Sequence, residues 1–155
     1  EAVHLEPRGV PACAEALAAV RNADAVIIGP GSWYTSVIPH FLLPDMRDAL
    51  THTQAKRICI VNLVPQAGET SDFHLHTHLD VLHDLVPELQ LDVVLADALA
   101  NEEPAQLAAS AATLGAVVQS AALANPLDRT QHSPDLLAAM LRPVLPARGR
   151  GHMAG

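Results

Sequence analysis

The segment Asp24-Ala-Val-Ile-Ile-Gly-Pro-Gly-Ser-Trp-Tyr-Thr-Ser-Val-Ile-Pro39 constrains the fold more than any other part of this chain. Ala25 to Ile28 are apolar without period-two alternation, the pattern of a strand buried on both faces of a parallel sheet. Gly29 and Gly31 then supply turn dihedrals and close backbone approach, and Thr35 and Ser36 offer hydroxyl caps to a following helix. A helix start at the carboxyl end of a strand exposes unpaired amides and the positive end of the helix dipole, so the turn reads as an anion seat centred on Ser32. Gly-Pro-Gly is equally compatible with a plain strand-to-helix turn. The seat is not a standard nucleotide signature, because Tyr34 stands where a Gly-x-Gly-x-x-Gly motif needs its third glycine and no Lys-Ser/Thr ending is present.

Further along, apolar runs and helical segments alternate. Arg57 to Val64, Leu91 to Ala96 and Ala116 to Ala122 read as strands. The helices are placed at about Ser36 to Leu43, Pro44 to Thr51, Phe73 to Leu85, Glu102 to Leu114 (closed by Gly115) and Pro134 to Leu141 (capped by Ser133). The expected fold is an α/β three-layer sandwich with a mainly parallel, Rossmann-like sheet covered on both faces. Residues 1–142 form its body and residues 143–155, with Arg148 and Arg150 among glycines, a flexible tail. Loops after parallel strands collect on one sheet edge, where ligands of open α/β sheets bind, so Gly29 to Ser36 and Asn62 to Asp72 are expected to share that edge.

Composition narrows the class. A chain of 155 residues that is 50% hydrophobic and 17% charged can bury a core, and with 3% aromatic residues that core is built from Ala, Val, Leu and Ile. A net charge of -8 argues against nucleic acid as the main partner. Amide donors need no net positive charge, so a local anion site is compatible with it. Cys13 and Cys59 are isolated and lack metal spacing. Cys59 sits in an apolar run as a buried thiol, which suits a reducing cytoplasm. No apolar stretch reaches the roughly 18 to 20 residues that span a bilayer.

Asn62 ends an apolar strand, so its amide either satisfies a neighbouring loop or reads a ligand's sugar or base. In Gly68-Glu69-Thr70, Glu69 either holds sugar hydroxyls or a divalent cation, or is an acid favoured by a helix start. His74, His76, His78 and His83 crowd one segment, and His74 and His78 fall on one helix face as in a zinc site. No metalloprotease-type carboxylate accompanies them, so they read as exposed helix-face histidines and no metal site is assigned. No nucleophile, base and orienter can be assembled, and no catalytic residue is assigned.

Three segments, Val-His-Leu-Glu-Pro (3 to 7), Gly-Pro-Gly-Ser-Trp-Tyr-Thr-Ser-Val-Ile-Pro-His (29 to 40) and Ile-Val-Asn-Leu-Val-Pro-Gln-Ala-Gly-Glu-Thr-Ser-Asp-Phe (60 to 73), resemble the gluconeogenesis factor family. These are uridine-diphosphate-sugar-binding proteins related to 2-phospho-L-lactate transferase. The resemblance runs from about Val3 to Leu141 and is of actinobacterial type. It implies that the chain is the carboxyl-terminal half of a larger fold, whose other half carries a second phosphate loop. It further implies a cytoplasmic regulatory protein that binds a nucleotide sugar such as UDP-N-acetylglucosamine and is needed for cell shape and wall synthesis on gluconeogenic carbon. Self-association and contacts with cell-wall or morphogenesis proteins are expected with it. The alternative is a transferase of coenzyme F420 synthesis using Mg2+. Gly29, Gly31, Ser32, Trp33, Tyr34, Thr35, Ser36, Asn62, Gly68, Glu69 and Thr70 are the implied ligand-binding residues, with His78 and Arg129 as additional candidates. The family's Arg-His-Asp-like group reads Gln131-His-Ser133 here, which implies either a different affinity for a uridine diphosphate sugar or substitution by Arg129 from two residues earlier.

Overall fold

The computed structural model describes residues 4–6, 9–65 and 74–147. Helix α1 (Ala14–Arg21) leads into strand β1 (Ala25–Ile28). A wide π turn (Trp33–Val37) runs on into α2 (Ile38–Leu42) and α3 (Pro44–His52). Then come β2 (Lys56–Ile60), α4 (Leu75–Leu85), β3 (Val93–Asp97), α5 (Pro104–Thr113), β4 (Val117–Ala121) and α6 (Pro134–Leu141). The four strands are parallel and lie in chain order, β1-β2-β3-β4.

Local chemistry accounts for most boundaries. Helices α3, α5 and α6 each carry proline in the first turn, where its missing N–H costs nothing. Ser133 caps α6 by accepting from the Leu136 N–H at 3.4 Å. Two elements differ from expectation. Strand β2 was read through Val64, but after Val61 donates its N–H to the Leu95 carbonyl the chain leaves the ladder, which brings Asn62 beneath the glycine turn. Helix α1 was not anticipated; it buries no residue fully, and its half-buried Leu17 and Val20 pack on the core as an outlying helix.

Register partners point to the same side of a sheet, so the faces can be read in rows. Ile28, Cys59, Val94 and Val118 form one row, and all four join the main core with Trp33, Phe41, Leu79 and Leu107 from the helical side. The opposite row is Ile27, Ile58, Val93 and Val117. Here α6 and Val144 cover only the middle, so Ile58 and Val93 are buried while Ile27 and Val117 are 44% and 61% exposed. The third layer therefore exists but is one short helix wide. Val144, assigned to the tail by the sequence reading, packs into this second cluster at 4% exposure. Burial pushes the Cys59 thiol up to about 12, leaving it an inert core group. Among the described residues no helix is long and apolar enough to cross a membrane.

Candidate functional site

The glycine turn is fixed from below. Gly29 has φ +76°, and a Cβ there would lie 2.6 Å from the Ile60 carbonyl oxygen, so only glycine lets β1 end this close to β2. The Asn62 side chain is 8% exposed and closes a two-bond clamp on Gly31: its Oδ1 accepts the Gly31 N–H and its Nδ2 donates to the Gly31 carbonyl, both at 2.9 Å. Of the two sequence readings of Asn62, the structural one is realised. The cap also differs from expectation. Ser32, not Thr35 or Ser36, is the N-cap; its Oγ accepts the Thr35 N–H at 3.2 Å and is hydrogen-bonded by the Thr35 hydroxyl. With Gly31 and Thr35 amides both engaged internally, the seat offers an anion fewer donors than the sequence suggests.

Trp33 and His78, both read as ligand contacts, are core residues. Trp33 is 1% exposed and meets the His78 ring edge-on, with centroids 5.0 Å apart and planes at 84°. His78 is also 1% exposed, with Nδ1 3.2 Å from the His74 carbonyl oxygen. Burial pushes this imidazole below its ordinary value, against the pull of the His74 and Leu75 backbone and with nearby His76 adding to the lowering. His78, singled out from its neighbouring histidines as a ligand candidate, is therefore a core group in this structure. Tyr34 is half-buried against the same core, while Thr35 and Ser36 stay exposed. Gly68, Glu69 and Thr70 lie outside the described residues.

The histidines that do converge are His74 and His76. Their rings stack at 5.6 Å and 12°, and both Nδ1 atoms lie 3.2 Å from one carboxylate oxygen, Oε2 of Glu103, the residue before α5. Together with Asn101, Glu102 and Leu63 they line a cavity of about 380 Å³ between the chain leaving β2 and the chain leaving β3. Sequence spacing could not reveal this group, because Glu103 is brought to the histidines only by the sheet. Among the described residues no group of three or more His, Cys, Asp or Glu side chains could hold a metal ion.

Asp97 was missed by the sequence reading. It ends β3 at 2% exposure and accepts four backbone N–H bonds, from Leu99 and Ala100 through Oδ1 and from Leu123 and Ala124 through Oδ2, at 2.6 to 3.0 Å. Burial alone would raise this carboxyl, but the four donors outweigh it and hold the group below its ordinary value. Its partners tie the chain after β3 to the chain after β4. The latter then forms a closed loop: Ala124 bridges His132, the Asn125 N–H donates to the Gln131 carbonyl, and Asp128 accepts from Thr130 and Gln131. Arg129 is carried on this loop, exposed, and lines a second cavity of about 160 Å³ with Asp97. The two cavities share Leu63, Val64 and Ala100, so they adjoin along the carboxyl edge. Burial lowers the pKa of His132, beside it, and the Asp97 carboxylate opposes that shift. An aspartate closing an apolar strand at a sheet's ligand edge was the signal available for Asp97.

A family model described as 2-phospho-L-lactate transferase CofD matches residues 1–128. A Mycobacterium tuberculosis protein named "Putative gluconeogenesis factor" is 41% identical over 142 residues, which cover 90% of this chain and 41% of that protein. The gluconeogenesis factor of Listeria monocytogenes is 39% identical over 93 residues, 60% of this chain and 29% of its own length. A crystal structure of a UPF0052-family protein from Bacillus halodurans superposes with a TM-score of 0.73 at 26% identity, covering 88% of this chain and 48% of that one. This chain thus spans less than half the length of each of these relatives. Its α/β fold is that of the solved relative, and with more than half of its residues under one family model, the chain belongs to the 2-phospho-L-lactate transferase CofD family, among relatives named as gluconeogenesis factors.

Proposed function

We propose that this chain is the carboxyl-terminal half of a nucleotide-sugar-binding regulatory protein, with a uridine diphosphate sugar such as UDP-N-acetylglucosamine as its ligand. The observation that carries the reading is the pair of adjoining cavities on the carboxyl edge, one lined by the exposed Arg129 and the other by His74, His76, Glu102 and Glu103. A diphosphate needs a cation, and Arg129 is offered on a loop tied down by its own hydrogen bonds. The names of the relatives support a role in gluconeogenic growth, and we extend it to control of cell shape and wall synthesis through a cytoplasmic partner in morphogenesis. We place the amino-terminal half of the full-length protein beside β1, one of the two outer strands among the described residues.

The family model's name favours one other reading, a phospholactate-type transferase of coenzyme F420 synthesis. The described residues gather no set to hold its Mg2+, so no step is derived through the ion. Titration calorimetry of the full-length protein with UDP-N-acetylglucosamine and with a nicotinamide dinucleotide separates the outcomes. Tighter binding of the sugar nucleotide is expected. Equal or tighter binding of the dinucleotide, or turnover of a phospholactate donor with a deazaflavin, overturns the regulatory reading.

A further inference from the structure

We propose that the 380 Å³ cavity is a hydroxyl-reading subsite, in which Glu103, held by His74 and His76, selects the sugar end of the ligand; this rests on the nucleotide-sugar reading above. The first support is a set of polar groups gathered at one cavity. His76 Nδ1 and Glu103 Oε2 lie 3.2 Å apart, shielded from solvent and facing one another, and His74 Nδ1 lies 3.2 Å from the same oxygen. Asn101 Oδ1, on the same cavity, is buried with no hydrogen-bond partner among the described residues. Buried polar groups are normally satisfied, so this carbonyl marks a place for a donor from a ligand.

The chemistry of the lining decides what that partner is. A carboxylate and an amide carbonyl accept hydrogen bonds and never donate them. Both imidazoles turn Nδ1 toward Glu103, and a neutral ring with its proton on Nδ1 keeps Nε2 as a further acceptor. Glu102 adds a second carboxylate, and no Lys or Arg is found among the described residues that line the cavity. Such a surface repels a phosphate and suits a neutral group rich in O–H donors, which is the chemistry of a hexose ring. The anionic part of the ligand then falls toward Arg129, across the shared Leu63 and Ala100. Polarity thus runs across the adjoining cavities in the same direction as it runs along a nucleotide sugar.

The test measures, in the full-length protein, the ratio of affinities for a uridine diphosphate hexose and for UDP alone. The unsubstituted protein is expected to prefer the hexose by about tenfold or more, and Glu103→Gln to bring the ratio close to one with UDP affinity unchanged. His74→Ala removes a largely exposed side chain, so it should leave the fold intact while lowering the ratio severalfold. A ratio that survives both substitutions, or equal weakening of hexose and UDP binding, overturns the subsite while leaving the nucleotide-sugar reading standing. Binding of neither compound by the unsubstituted protein overturns that reading and the subsite with it.

Discussion

At the scale of single residues, the seat is governed by approach distances. Gly29 is confined by its positive φ and by the Ile60 carbonyl, so Gly29→Ala should destabilise by more than about 2 kcal/mol, combining left-handed strain with a backbone clash. Chemical denaturation checks this, and an unchanged midpoint would show that β1 and β2 separate freely at this end. The same scale explains why two residues expected at the ligand, Trp33 and His78, lie in the core. A tryptophan after a glycine turn and a histidine on α4 suggest ligand contacts, yet they meet each other edge to face in the core. With so few aromatic residues in the chain, Trp33 is more valuable as core volume than as a surface contact. Periodicity places His78 on a helix but does not reveal which face the sheet will cover.

At the scale of elements, Asp97 joins two loops that are far apart in sequence. Its folded-state pKa is depressed, so its contribution is complete above the ordinary carboxylate range and is lost as pH falls through the lower folded value. Asp97→Asn removes two acceptor sites and brings an amide N–H against backbone donors. The cost should be about 3 kcal/mol at neutral pH, and the gap to the unsubstituted protein should narrow as pH falls below about 4. Thermal melts across that range provide the measurement; a gap independent of pH would mean that the charge contributes nothing. The strand–helix alternation was legible because apolar runs, first-turn prolines and Ser133 announce themselves locally. What was illegible is pairwise: Asn62 with Gly31, Glu103 with two histidines, and Asp97 with the Leu123 and Ala124 amides all join different loops. Only the sheet brings those loops together, and a single sequence carries no record of the distances.

At the scale of the whole molecule, the second face of the sheet is unfinished at both margins. Exposed Ile27 and Val117, with outer strands each paired on one side among the described residues, predict that the isolated chain self-associates and binds nucleotide sugar more weakly than the full-length protein. Light scattering together with calorimetry on both forms tests the two points; a monodisperse fragment binding as tightly as the full-length protein would overturn them. Strand order has a further consequence, for how the molecule comes into being. Because spatial order equals chain order, no strand has to be threaded between two already in place, and each newly formed unit finds its neighbour waiting. Assembly can proceed by accretion from one margin, each step closing a single crossover, as from Ala25 to Lys56 or from Ile58 to Val93, and not the whole chain. Once assembled, β2 and β3 should hold their amide hydrogens longest against exchange, while β1 and β4 breathe first, so the ligand edge is rigid at its centre and yielding at its rims.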